Sequence, residues 1–276
     1  MTARKVLVTG ANSGLGLATA LHAAAAGHRV IGTVRSEAKS DVLLRAAAEA
    51  SVEVASTLLD VTDADRGQEV IDEIRPDVVV NNAGYAMSAP METVPDQDAT
   101  QLLDTMLIAP MRLARLAVPH MRDRGWGRIV NVSSIMGRVS MPLTGWYQAA
   151  KHGLEAASDS LRMELARDGI AVVLIEPGMF ATSIFDDLAA DQDRYGTPRY
   201  DGVYDRMRDA LRRSEPIMGD PEEVGRAVVR VIAAGRPRAR YLVGADAQLL
   251  DATRTLAPPM IQDPIRDRIQ RFVAGL

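Results

Sequence analysis

Short β-branched apolar runs alternate with helix-periodic stretches along most of this chain, and few folds accommodate that alternation. The runs are KVLVTG (5–10), HRVIGTV (28–34), VEVASTLLD (52–60), DVVVNNAG (77–84), GRIVNVSS (127–134), IAVVLIEPG (170–178) and RYLVG (240–244). Between them lie helical patterns over 15–26, 36–50, 63–75, 96–124, 146–167 and 221–234. Strands that alternate with helices predict an α/β fold, a parallel sheet with helices on both faces. The strands are near-continuous apolar runs, as expected when both faces of a sheet are covered. A length of 276 residues suits one such domain spanning 1–276. Two segments break the rhythm. Residues 183–219 are polar, with several Arg, Asp and Tyr, and are expected to form a solvated lid; residues 245–276 form an irregular tail.

The first strand runs into TGANSGLG, residues 9–16, which opens the first helix. Gly10, Gly14 and Gly16 permit a tight turn and a close approach of the backbone. The helix N-terminus, with Asn12, Ser13 and Leu15 around it, then offers unpaired amides and a positive dipole end to a pyrophosphate. The spacing is not G-x-G-x-x-G, and a bare strand-to-helix turn has the same composition. At the end of the second strand, where an acidic residue would hold the ribose 2′-hydroxyl of NAD, stand Val34 and Arg35. A guanidinium suits a 2′-phosphate, so Arg35 points to NADP(H) in preference to NAD(H); as a residue it is equally a solvated loop arginine. Asp60, followed by Val61, closes the third strand, where it is placed either to accept from an adenine amino group or to cap the helix over 63–75.

GWYQAAKHG puts Tyr147 and Lys151 at i and i+4 on one helix, where the two side chains share a face. A fixed ammonium stabilises a phenolate and lowers the phenol's pKa, so the pair is suited to proton exchange with a carbonyl or an alcohol. Ser134, thirteen residues earlier at a strand end, is placed to hold the same substrate oxygen.

With these motifs in order the sequence resembles the classical short-chain dehydrogenase/reductases over nearly its whole length. The matching stretches are TGANSGLG, Asp60, NNAG (81–84), NVSS (131–134), YQAAK (147–151) and PGMFAT (177–182). The resemblance implies a doubly wound Rossmann fold with a seven-stranded parallel sheet, and hydride transfer between a nicotinamide and a carbonyl or secondary alcohol. It makes Tyr147 the general acid/base, Lys151 the group that lowers its pKa and holds the nicotinamide ribose, and Ser134 the partner of the substrate oxygen. It further assigns Asn82, Ala83 and Gly84 to the cofactor's inner edge, and Pro177, Gly178 and Thr182 to the nicotinamide amide. The layout is most similar to the subgroup of 17β-hydroxysteroid and retinol dehydrogenases. An apolar small-molecule substrate is expected, with epimerisation on the same scaffold or a non-catalytic NADP(H)-sensing regulator as the other readings.

One position departs from the family pattern. The long helix before the serine strand carries Met106 where the family has an Asn thirteen residues ahead of a proline, here Pro119. A thioether supplies none of the amide's donors. Four residues on is Pro110, which lacks an N–H and so denies the Met106 carbonyl its helical partner. The expected consequence is a fault in the helix at Met106 whose backbone carbonyl serves the proton relay beside Lys151 in place of the missing side chain.

Composition excludes several classes. The net charge of −4 matches neither nucleic acid nor an anionic membrane. The absence of cysteine excludes disulfides and thiolate chemistry. No apolar run is long enough for a spanning helix, and the N-terminal stretch lacks a signal peptide's apolar region, so a cytoplasmic location is expected. The four histidines lack ligand-like spacing and no metal site is expected. Met136, Met141, Met179, Phe180 and Phe185 read either as an adaptable apolar pocket or as ordinary core. A homodimer or homotetramer is expected through the outer faces of the two long helices, with Leu102, Leu113, Leu154 and Leu161 as candidate contacts.

Overall fold

A computed structural model describes residues 2–180, 188–214, 216 and 218–248. Seven strands, β1 (Lys5–Thr9), β2 (Arg29–Val34), β3 (Val54–Leu58), β4 (Val78–Asn81), β5 (Gly127–Val132), β6 (Ile170–Pro177) and β7 (Arg240–Val243), form one parallel sheet of order β3-β2-β1-β4-β5-β6-β7. The order reverses between β1 and β4, which is where an open α/β sheet leaves a crevice beyond its carboxyl ends. Every residue of β4 and β5 is buried, the consequence of helices on both faces.

One face is covered by α1 (Gly14–Ala25), α2 (Glu37–Glu49) and α9 (Glu222–Ala233). Their apolar stripes meet Val6, Val8, Val80, Val130 and Val173 in the larger core. The other face is covered by α3 (Ala64–Ile74), α5 (Ala109–Asp123) and α6 (Gly145–Glu164), packed on Leu7, Val79, Ile129 and Val172, and α4 (Asp96–Leu103) lies against α6 in a separate cluster. Asp63, not Asp60, caps α3: its carboxylate accepts from the Arg66 N–H at 2.9 Å. Asp60 instead closes a turn of its own, accepting from the Thr62 N–H at 3.0 Å and hydroxyl at 2.7 Å.

The helix expected over 96–124 runs over 96–123 through α4, a π turn at Asp104–Ile108 and α5, and that π turn is the fault expected at Met106. Pro110 stands just past it, in backbone that is helical on both sides, and leaves the turn before it without an N–H donor. Two expectations change. The candidate interface leucines lie on the inward stripes of their helices: Leu102, Leu113 and Leu154 are buried, and Leu161 packs against the second core. Ile108 and Met163 are the large apolar side chains these elements expose. The polar lid is helical where described, as α7 (Leu188–Tyr195) and α8 (Asp201–Ser214), because Tyr195, Val203 and Tyr204 give each helix a buried stripe. In the tail, residues 245–248 form a helical turn, and 249–276 lie outside the described residues.

Candidate active site

The glycine turn is stapled to the NNAG strand end. Thr9 Oγ1 accepts from the backbone N–H of Asn82 at 2.9 Å and of Ala83 at 3.0 Å. In return the Asn82 side-chain amide donates to the Thr9 and Gly10 carbonyls at 3.0 and 3.2 Å. Gly10, at φ +66°, lies so close to Ala83 that a β-carbon would stand 3.0 Å from its Cα. A β-carbon at Gly16 would collide with the Gly10 carbonyl and the Asn82 amide. Thr9 thus organises the turn, although the motif reading made nothing of it; its signal was its place as the last residue of the first strand.

Beyond this turn α1 begins with no acidic residue in its first turn, and the extended Ser13 makes no capping bond with its side chain. The first amides of the helix are thereby open to an anion. Arg35 is exposed just past β2; against the upward pull of burial, the two Thr62 hydrogen bonds, and after them the Arg35 guanidinium, hold the Asp60 carboxyl below its ordinary range. Val61 is buried in the second core, and its carbonyl accepts from Arg112 at 3.0 Å. Leu15 packs on the first core, and Asn12 is half-buried at the turn. This end of the crevice fits the pyrophosphate and adenosine parts of a dinucleotide.

At the far side of the crevice β6 ends in Pro177 and Gly178. The Gly178 N–H donates to the Val243 carbonyl at 2.9 Å, and the Met179 N–H to the Asp246 carboxylate at 2.7 Å. Asp246 thus pins this turn from a segment expected to be irregular. Phe180 is not a pocket residue but part of the first core, against Gly219 and Gly244. Thr182 and Phe185 lie outside the described residues.

Between these ends stand Ser134, Tyr147 and Lys151, all buried. Ser134 follows β5, and its hydroxyl accepts from the Met136 N–H at 3.1 Å and stands near enough to the Tyr147 phenol to favour its ionised form. Lys151 Nζ lies 5.8 Å from the Tyr147 ring centroid and donates to the Val132 carbonyl at 2.7 Å. Burial pushes the Tyr147 phenol up to about 12, against the pull of the Ser134 hydroxyl. Burial likewise brings Lys151 down to about 8, against the field of Glu155. The expected lowering of the phenol by Lys151 does not appear: dehydration of the phenolate outweighs the Ser134 hydroxyl, and Lys151 is not among the groups that shift it.

The π turn brings Met106 into this cluster. Its side chain is buried with Tyr147, Ala150 and Met87, and its terminal methyl faces Gly84. Across the turn, Asn81 donates its amide to the Pro110 carbonyl at 3.2 Å and to Asn131 Oδ1 at 2.8 Å. Asn131 in turn donates to Ser158 on α6 at 2.8 Å. A buried chain of amides thus ties the helix fault to the helix that carries Tyr147 and Lys151. The helices α7 and α8 of the polar segment pack against the same cluster. Tyr195 packs in it, Asp191 accepts from the Ser88 N–H at 2.7 Å, Tyr204 donates to the Ser88 carbonyl at 2.9 Å, and Arg194 grips both oxygens of Asp98 at 2.8 Å. Met136 packs at the margin, whereas Met141 is exposed.

Among the described residues no helix is long and apolar enough to cross a membrane, and no three His, Cys, Asp or Glu side chains are grouped to hold a metal.

The sequence profile of the short chain dehydrogenase family matches residues 4–193. The oxidoreductase YusZ of Bacillus subtilis, itself uncharacterized, is 33% identical over 94% of this chain and 95% of its own. Human retinol dehydrogenase 16 is 32% identical over 94% of this chain and 86% of its own. Among solved structures, an actinorhodin polyketide ketoreductase variant with NADPH superposes with a TM-score of 0.77 at 27% identity, over 90% of this chain and 97% of that one. The chain belongs to the short-chain dehydrogenase/reductase family of oxidoreductases.

Proposed function

We propose that the protein is an NADP(H)-dependent reductase or dehydrogenase that interconverts a ketone and a secondary alcohol on an apolar substrate. The observation that carries this reading is the buried grouping of Ser134, Tyr147 and Lys151, with the Ser134 hydroxyl acting on the Tyr147 phenol, at the crevice where the strand order reverses. The nicotinamide, when bound, supplies or accepts the hydride. In the direction of reduction the two hydroxyls hold the substrate oxygen, and Tyr147 donates its proton as charge develops there. A phenol held up near 12 keeps its proton at neutral pH and is competent as the acid. In the direction of oxidation, Tyr147 would take the alcohol proton as a phenolate, and the Lys151 ammonium would offset the charge of that phenolate before the proton arrives.

Arg35, exposed at the end of β2 where no acidic residue follows the strand directly, supports the choice of NADP(H) through a two-pronged grip on a 2′-phosphate. The ketoreductase with NADPH supports it further. Gly10, Gly14 and Gly16 with α1 would take the pyrophosphate, Asp60 the adenine, Asn82 to Gly84 the inner edge, and Pro177 with Gly178 the nicotinamide amide. The apolar cluster of Met87, Met106, Trp146 and Tyr195 around Tyr147 favours an apolar substrate, with α7 and α8 as its lid. The similarity to retinol dehydrogenase 16 points the same way.

The test is NADPH oxidation against paired ketones of equal reactivity and rising chain length. Turnover should rise with apolar length and require NADPH. Equal turnover on short polar ketones, or a preference for NADH, would overturn the substrate class or the cofactor assignment respectively.

A further inference from the structure

Beneath Lys151 lies a cluster of charged side chains, Glu155 and Glu176 buried among partly exposed partners, that the reaction above does not use. Glu155 is one helical turn further along α6, so its side chain shares the face of Lys151, with about 5–6 Å between β-carbons. Its carboxylate is buried, and one oxygen, Oε2, meets the Arg240 guanidinium of β7 at 3.0–3.1 Å. Among the described residues the other oxygen, Oε1, has no hydrogen-bond donor. Arg240 also holds Asp159 of α6 at 2.7 Å and lies 3.0 Å from Glu176 Oε1. Glu176, wholly buried at the end of β6, takes Arg138 at 3.1 Å on its other oxygen. Arg162 completes the set on Asp159.

The cluster joins the three segments that build the site. Arg138 belongs to the loop after Ser134, Glu155 and Asp159 to the helix of Tyr147 and Lys151, and Glu176 immediately precedes Pro177 and Gly178. Gly137 marks the meeting point: a β-carbon there would lie 2.9 Å from Ser133 Oγ, 3.2 Å from Glu155 Cγ and 3.3 Å from the Lys151 carbonyl. The six side chains of Arg138, Arg162, Arg240, Glu155, Asp159 and Glu176 carry three charges of each sign and balance without Lys151. Among them, Glu155 is the carboxylate on Lys151's own face, and only one of its oxygens is committed to an arginine.

We propose that Glu155 is a positioning residue for the reaction: its buried carboxylate is the counter-charge that keeps the Lys151 ammonium ionised in the closed crevice, and Arg240 fixes that carboxylate in place. An ammonium taken out of water loses its proton readily unless an anion stands near it. Glu155 raises the Lys151 pKa against the pull of burial, in keeping with this placement. The other groups around the pair are the neutral Tyr147 phenol, the Ser134 hydroxyl and the Val132 carbonyl on the catalytic side, and the arginines and acids named above on the other. The proposal rests on the reading of Tyr147 and Lys151 as the reacting pair and of Lys151 as a cofactor contact.

The test compares the full-length protein with its Glu155→Gln and Glu155→Asp variants, in NADPH affinity by cofactor fluorescence and in ketone turnover, each across pH. In the wild type, both should fall on the alkaline side as Lys151 loses its proton. In Glu155→Gln that alkaline limb should move down by about one pH unit or more, the usual effect of removing a near countercharge. Glu155→Asp, which keeps the charge one methylene further away, should move it less and in the same direction; it carries the test alone if the glutamine variant does not fold. An unmoved limb with intact wild-type binding and turnover would overturn the role of Glu155 and leave the reading of the site standing. Wild-type protein that neither binds NADPH nor reduces any ketone would overturn both.

Discussion

Met106 closes on Gly84 so tightly that a β-carbon on the glycine would lie 3.0 Å from the methionine's terminal methyl. The thioether thus fills, by packing alone, the space between the NNAG strand end and Tyr147. Met106→Leu, similar in volume, should cost less than about 1.5 kcal/mol of stability. Met106→Asn should cost more, about 1–3 kcal/mol beyond the lost packing, because its amide would enter a cluster of Ala, Met and Tyr side chains. Urea denaturation of the two variants checks this; an asparagine as stable as the wild type would mean that partners for the amide are already in place.

Asn81 carries the link from the π turn to the catalytic helix. Asn81→Ala would remove the donor from both the Pro110 carbonyl and Asn131 Oδ1, two buried acceptors. A loss of about 2–4 kcal/mol follows from leaving them unpaired. Asn81→Asp should cost at least as much, since a carboxylate would face two acceptors. Thermal unfolding of both variants is the measurement, and a small effect of Asn81→Asp would contradict the assigned direction of the bonds.

Arg35→Ala should weaken NADPH by tenfold or more while changing NADH by less than about twofold, since a charge-assisted bond to a buried or ordered phosphate contributes on the order of 1.5–3 kcal/mol. Fluorescence titration with both cofactors decides it. Equal losses would remove Arg35 from the 2′-phosphate and return it to the role of a surface arginine.

Lys151 makes stability depend on pH in a defined direction. Its pKa is drawn down from an ordinary 10.5 to about 8 in the folded protein. Below pH 8 both folded and unfolded chains hold the proton, and the fold bears the cost of a buried ammonium. Above it the unfolded chain binds more protons than the folded one, so stability rises with pH until about 10.5. Relative to Lys151→Met, the wild type should gain about 2 kcal/mol between about pH 7 and 9.5. Tyr147, with its pKa raised to about 12, acts in the opposite direction only above about pH 10. A difference between the two proteins that stays flat over this range would mean that Lys151 keeps its ordinary pKa in the fold.

Much of this architecture was legible in the sequence for a physical reason. Strands such as VVVN and IAVVLIEP are buried on both faces, so their composition alone declares a covered parallel sheet. Gly10 and Gly16 declare a turn that no side chain could enter. Pro110 rightly marked a fault, but whether that fault is a kink, a stop or a π turn depends on the Asn81 amide, which comes from another strand. Long-range partners escaped for the same reason. Asp246 lies 67 residues from the turn it pins, and Arg240 lies 85 from Glu155. No local spacing encodes either pairing. The leucines assigned to an outer face show the limit of a periodicity count on amphipathic helices: it finds the stripe but not which side the sheet occupies.

The most direct measurement is ketone-dependent NADPH oxidation by the wild type and by Tyr147→Phe, with cofactor affinity measured in parallel. Phenylalanine keeps the ring among Met87, Met106 and Ala150 and removes only the hydroxyl near Ser134. Turnover should fall by about 10²-fold or more, the usual contribution of a positioned general acid. NADPH affinity should stay within about threefold, because phosphate contacts at α1 and Arg35 carry most of the charge-assisted binding. Full turnover in Tyr147→Phe would contradict the assignment of the proton donor.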